Sequence, residues 1–237
     1  METKRKRRTK KDIEQTIQDT AVKIIENKGF SGLLVTEIIS KAKIEPAVFY
    51  NRYNDINEFI DEFVKRYDYW FSDILKNCTY TDDRESMYRS IIKELYYSFQ
   101  QNKVMQQLLR WELSTNTETS RRTAQLREFH TLPIAKEYEL LFKDSPTDIV
   151  AISALILGGI YYLVLHKDLS PFSAIDINTE EGNSRITKAI DQLSDFIFES
   201  KKQQKEISIA IKMKQSNICS ETIAYCTGLS LDIIEQL

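Results

Sequence analysis

The sequence predicts an all-α protein. Two observations carry that expectation. Glycine and proline number only 6 and 4 in 237 residues, too few to punctuate a β-rich meander with tight turns. Apolar residues also recur at helical spacing through most of the chain, while no stretch shows the strict alternation of a half-buried strand. The expected layout is a three-helix, helix-turn-helix head, a long connecting helix, an all-helical body and a C-terminal helical hairpin.

The elements follow in order. Ile13, Ile17, Ala21, Ile24 and Ile25 line one face of a first helix, which Lys28-Gly29 should end in a left-handed cap. Thr36 to Ala42 forms a second helix with Ile38, Ile39 and Ala42 on one face. After Lys43-Ile44-Glu45, Pro46 suits the first turn of a third helix ending near Tyr53. Two short helices joined by a tight turn make a helix-turn-helix. Asp55 can cap a long connector whose stripe runs through Ile56, Phe59, Ile60, Phe63, Tyr67, Trp70, Phe71, Ile74 and Leu75. Further helices are expected from Asp82/Asp83 through Phe99, over Val104 to Leu113, and from Thr119 to Phe142 with an interruption or kink at Pro133. Ser145-Pro146 should open an apolar helix ending near His166. Its uncharged run, Ile149 to Leu165, is short for a membrane span and reads as a helix buried all round inside the protein. A loop from Asp168 to Asn183 leads to an amphipathic helix marked by Ile186, Ile190, Leu193, Phe196 and Ile197. The domain boundaries so implied are a basic arm at 1–11, the head at 12–54, the body at 55–202 and the hairpin at 203–237.

Composition narrows the function. Residues 1–53 hold twelve Lys/Arg against seven Asp/Glu, a net of +5. The rest holds 21 against 28, a net of −7. A basic head on an acidic body points to a polyanionic partner for the head, the alternative being a solvated tail. Cys78, Cys219 and Cys226 are scattered, and His130 and His166 are the only histidines. No metal-ligand spacing, Ser/His/Asp set or phosphate-cradling glycine loop occurs, so no enzymatic role, metal or cofactor is expected. The basic opening is followed by no apolar stretch of the kind a signal peptide needs, and reduced thiols suit a cytoplasmic protein.

The segment Gly29-Phe30, Val35-Thr36-Glu37-Ile38-Ile39, Ala42-Lys43-Ile44 and Val48-Phe49-Tyr50-Asn51-Arg52-Tyr53 resembles the DNA-binding head of TetR/AcrR-type regulators over about fifty residues. The chain departs from that pattern at Leu34, where a hydroxyl cap is usual. Lys43 replaces a turn glycine, Val48 a recognition-helix hydroxyl, and Ile56 a phosphate-gripping lysine. The resemblance implies DNA contacts from Lys4, Arg5, Arg7, Arg8, Thr36, Lys43, Ala47, Tyr50, Asn51 and Arg52. Phosphate neutralisation by the arm is large beside the loss of one lysine at Ile56. Tyr50 and Tyr53 can each be a core aromatic instead, and Tyr53 suits that role better. The resemblance further implies a ligand-responsive, sequence-specific repressor that meets a palindromic operator as a homodimer. Its effector cavity would hold a small apolar ligand, with Phe99, Met105, Trp111, Tyr138, Phe142, Tyr161 and Tyr162 as candidate liners, each of which can be plain core. The dimer interface would use Leu157, Gly158, Ile160, Ile190, Leu193 and Ile197. The rival class is a helical dimeric interaction protein that has lost specific DNA binding. The C-terminal Ser220 to Ile234 repeats a helix-turn-helix pattern around Gly228 with Ser220 and Ser230 as caps, similar to tails on transposase-like nucleases. Its second helix is too short to offer many base-reading side chains, which favours a packing or assembly role.

Overall fold

The computed structural model describes residues 9–79 and 81–237, and among them the fold is all-α; one isolated bridge between Phe172 and Ile175 is the sole extended pairing described. The chain divides into two compact units, the first reaching to Asn77 and resuming over Glu94–Thr131, the second made of Cys78–Lys93 and Leu132–Leu237. The division therefore does not fall at 54/55, and the expected body is shared between the units.

In the first unit, α1 (Lys10–Lys28) opens with a reciprocal cap: Thr9 Oγ1 accepts the Asp12 N–H at 3.1 Å and an Asp12 carboxylate oxygen accepts the Thr9 N–H at 2.9 Å. Gly29 ends it at φ +69°, and its N–H donates to Ile25 O at 2.8 Å. A side chain at Gly29 would be strained by that φ and would meet Gln107 Oε1 at 3.2 Å. A 3-10 turn, Phe30–Gly32, leads to α2 (Val35–Ala42) and α3 (Pro46–Tyr50). Leu34 stands at the N-cap of α2 and supplies no side-chain bond, while Lys43 adopts φ 52° in the turn. Asp55 caps α4 (Ile56–Val64), accepting from the N–H groups of Asn57 and Glu58 at 2.8 and 2.9 Å.

The connector is not the single helix its stripe suggests. After α4 comes a 3-10 turn, Lys65–Tyr67, and α5 (Trp70–Asn77) resumes only after Asp68 and Tyr69. The apolar spacing is the same for one helix or two, so periodicity could not reveal the break. The unit is completed by parts of α6 (Arg84–Gln101) and α8 (Glu118–Leu141), and by α7 (Lys103–Ser114). Phe30 stacks on Trp111 of α7 at 5.1 Å between ring centroids, which ties the head to α7.

The second unit holds the rest of α6 and α8, then α9 (Ile149–His166), α10 (Glu180–Gln215), α11 (Ser220–Thr227) and α12 (Leu231–Gln236). Pro133 lies inside α8, which runs through it without interruption. Asp148 caps α9 by accepting the Ala151 N–H at 2.9 Å, so the helix starts at Ile149 and not at Ser145-Pro146. Tyr88, Tyr138, Phe142 and Phe198 pack edge-to-face or tilted around one another, and Tyr138 Oη donates to Arg84 O at 2.9 Å. Lys93 pairs with Asp191 at 2.6 Å and Arg89 pairs with Asp195, joining α6 to α10. α10 continues through the expected boundary at 202/203 to Gln215. Its end, with α11 and α12, encloses a small core of Ala210, Ile223, Leu229 and Ile234. Ser230 caps α12 as expected, whereas Ser220 is the first helical residue of α11 and Cys219 takes the cap position without a side-chain bond. Gly228 turns the chain at φ +73°.

Candidate nucleic-acid interface

The head places its polar side chains by burying their neighbours. On α3, Phe49 is fully buried and stacks at a tilt on Phe59 of α4 at 5.8 Å, while Tyr53 meets Phe59 edge-on at 5.0 Å. Burial pushes the Tyr53 hydroxyl up from its usual pKa, in keeping with a core role. With Phe49 turned inward, the opposite side of a helix only five residues long faces out. Ala47, Tyr50 and Asn51 are exposed there, Tyr50 to 54%. Thr36 at the start of α2 and Lys43 in the turn are exposed as well. Arg52 is only half-exposed, because its guanidinium donates to Val48 O at 2.7 Å and so closes the C-terminal end of α3.

Near this surface Glu37 pairs with Lys28 at 2.7 Å and Lys41 at 2.9 Å. Those hydrogen bonds and charges hold its carboxyl below the usual glutamate range, so one anion is neutralised on the helix that precedes the turn. Lys4, Arg5, Arg7 and Arg8 lie outside the described residues.

The seven aromatic and methionine candidates for a ligand cavity fall into both units. Phe99, Met105 and Trp111 belong to the first: Phe99 and Met105 are fully buried, Phe99 packs on Trp70 at 5.8 Å, and Trp111 lies on Phe30. Tyr138 and Phe142 are buried in the aromatic cluster of the second unit, Tyr161 is half-buried, and Tyr162 is half-exposed against His166. Two clefts in the first unit, of about 420 and 700 Å³, are lined by none of these seven residues. The larger lies between Lys11, Gln18, Arg52, Tyr53, Glu62 and Arg66 and is highly charged.

α9 departs from expectation. A helix buried all round is expected there, yet only 17% of it is buried within the chain, although at a mean hydropathy of 2.1 it is long and apolar enough to cross a membrane. Ile149, Ile160 and Val164 turn inward. Outward, Val150, Ala151, Ala154, Leu155, Gly158, Gly159 and Tyr162 form one continuous stripe, with Leu155 79% exposed. Nothing lies within 4 Å of where a side chain at Gly158 or Gly159 would stand. On α10, Leu193 and Phe196 are exposed too. Of the six residues expected at an interface, Gly158 and Leu193 are on the outside, Leu157 is half-buried, and Ile160, Ile190 and Ile197 are buried within the chain. The sequence does not single out Leu155, because a helix apolar on every side has no periodicity from which to choose a face.

No family model matches the chain, and no curated protein sequence matches it. Solved structures do. The fatty acid degradation regulator FadR from Bacillus halodurans superposes with a TM-score of 0.58 at 16% identity, over 81% of this chain and 96% of that one. A TetR-family protein from Vibrio parahaemolyticus gives 0.54 at 15%, over 76% and 97%. A TetR-family member from Streptomyces coelicolor A3 gives 0.53 at 18%, over 82% and 92%. Each neighbour is covered almost completely, while about a fifth of this chain has no counterpart in it. The fold of this chain is the fold of the TetR-family transcriptional regulators.

Proposed function

We propose that the protein is a DNA-binding transcriptional regulator that works as a homodimer in the cytoplasm. The observation that carries the reading is the division of labour on α3: Phe49 and, just beyond it, Tyr53 anchor the core, while Ala47, Tyr50 and Asn51 are left in solvent beside Thr36 and Lys43. A short helix that spends only its inner face on packing keeps its outer face for base edges and phosphates. The basic balance of residues 1–53 supplies the field that draws the head to a polyanion.

The dimer rests on the outward stripe of α9. A run of Val150, Ala151, Ala154, Leu155, Gly158, Gly159 and Tyr162 is an apolar surface of the kind that marks an interaction site, and its two glycines let another helix come close. A second copy of the chain, related by two-fold symmetry, would bury it and present two heads to one duplex. Control by a small apolar effector and action as a repressor complete the proposal, supported by the fold shared with a fatty acid degradation regulator.

The uncapped start of α2 at Leu34 and the apolar Ile56 favour one rival, a helical dimeric interaction protein that keeps the head only as fold. Titration of the purified chain with duplex DNA over a range of salt separates them. The regulator binds generic duplex with an affinity that falls steeply with salt. The interaction protein shows no shift at any salt concentration.

A further inference from the structure

The segment joining α9 to α10 holds apolar side chains in solvent and is tied down so that they stay there. Leu169 is 78% exposed and Phe172 40%, with Pro171 and Ala174 exposed beside them. Single exposed apolar residues are ordinary, but a cluster of them at the tip of a fixed loop marks an interaction site. The ties are several. Phe172 and Ile175 exchange two backbone hydrogen bonds of 2.9 Å, which closes a two-residue turn at Ser173-Ala174. Phe172 packs edge-on against Tyr162 at 4.9 Å and His166 at 5.7 Å, and His166 Nδ1 donates to Ser170 O at 3.1 Å. Asn178 Nδ2 donates to Lys167 O at 2.8 Å, and Ile177 is buried. The carbonyl of Asp176 comes so close to the start of α10 that Gly182 has no room for a side chain. Within this frame the turn itself is strained. Ser173 and Ala174 sit at φ 48° and 61°, the left-handed region where such a turn normally takes asparagine and glycine. Strain of this kind persists only where the surroundings over-determine it. The loop is therefore a preorganised surface and not a slack connection.

Tyr162, on which Phe172 rests, is the last residue of the outward stripe of α9, so tip and stripe form one apolar surface. The stripe alone is thin. Four of its seven residues are alanine or glycine, whereas a stable homodimer buries roughly 800 Å² on each copy. Leu169, Pro171 and Phe172 supply side chains that the stripe lacks. A lipid surface is a poor occupant, because residues 167–181 set Asp168, Asp176, Glu180 and Glu181 against the single cation Lys167, and anionic headgroups would repel them. Given the homodimer proposed for α9, on which this rests, we infer that residues 169–174 are a clasp that closes on a second copy of the chain. By two-fold symmetry each copy gives one tip and receives one, so the clasp adds two contacts to the one made by the paired stripes.

Sedimentation of the full chain, of Leu155→Glu in the stripe and of Leu169→Asp at the tip tests the clasp. Leu169→Asp leaves every tie of the loop in place, so helix content should not change, while the dimer dissociation constant should rise by about tenfold or more. If that variant does not fold, Leu169→Ala, which only shortens an exposed side chain, should still raise the constant by about threefold. Direct contact is read with a photoreactive benzoylphenylalanine in place of Leu169, in a mixture of light and isotopically heavy chains. Illumination should join a light chain to a heavy one. Dimers of parental strength in the Leu169 variants, or photoproducts confined to single chains, overturn the clasp; if Leu155→Glu is then monomeric, the homodimer itself stands. A parent chain that stays monomeric at every concentration overturns the clasp and the homodimer together.

Discussion

At the scale of single residues, Tyr50 and Tyr53 are three positions apart and do opposite work. Tyr50 is half in solvent and Tyr53 is buried among Phe49 and Phe59. Tyr50→Phe removes one hydroxyl and should cost DNA affinity about 1.5–3 kcal/mol, the size of a hydrogen bond to a charged phosphate, with the melting temperature unchanged. Tyr53→Phe should leave affinity alone and move only stability. A titration and a melting curve on each variant check the pair, and wild-type affinity in Tyr50→Phe would remove that residue from the interface. Asp61 gives a pH dependence. Burial pushes its carboxyl up, but hydrogen bonds from Lys65 and Thr119 and the charge of Arg122 prevail and hold it below the usual aspartate range. A carboxylate with a lowered folded pKa contributes stability above its unfolded pKa and loses it as the pH falls through the folded one. Melting temperature should therefore fall less on acidification below about pH 4 in Asp61→Asn than in the parent.

At the scale of elements, what the sequence made legible was local. Helix starts were readable where a side chain caps the backbone, as at Asp55 and Ser230, and helix stops where a glycine takes a positive φ, as at Gly29 and Gly228. They were misread where the choice lay among neighbouring caps, as between Ser145-Pro146 and Asp148. The break in the connector was invisible because the apolar spacing is the same for one helix or for two. The outward face of α3 was readable because Phe49 and Tyr53 are spaced as an inner face; the outward face of α9 was not. The hairpin offers a test of the same logic. Lys214 donates to Ile234 O at 2.9 Å and to Glu235 O at 3.3 Å, tying the end of α12 back to α10. Lys214→Met should loosen α11 and α12, seen as faster amide exchange confined to residues 217–237. Gly228→Ala, in open space but at φ +73°, should cost about 1–2 kcal/mol of backbone strain in the same region. Exchange that stays slow in both variants would mean the module is held by its apolar core alone.

At the scale of the whole molecule, the account stands on two surfaces left uncovered by a single chain, the outer side of α3 and the stripe on α9. Leu155→Glu should split the dimer, since it carries a charge into an apolar interface while leaving the chain's own core untouched. Gly158→Ala improves helix propensity by about 1 kcal/mol and meets nothing within its own chain, so it should raise the stability of the monomer fold while weakening self-association. Sedimentation of both variants decides the matter; dimers of parental strength would place the interface elsewhere. Neutralising Lys4, Arg5, Lys6, Arg7 and Arg8 together should weaken binding to all sequences alike and reduce the salt slope by about one unit for each phosphate that the arm no longer neutralises. The central claim, a two-headed reader of DNA, meets its most direct test in selecting bound sequences from random duplex DNA with the purified full-length chain. The account predicts enrichment of a palindrome whose half-sites lie about one helical turn apart. Recovery of unenriched sequence after repeated rounds, or of a single half-site bound by one copy, would contradict it.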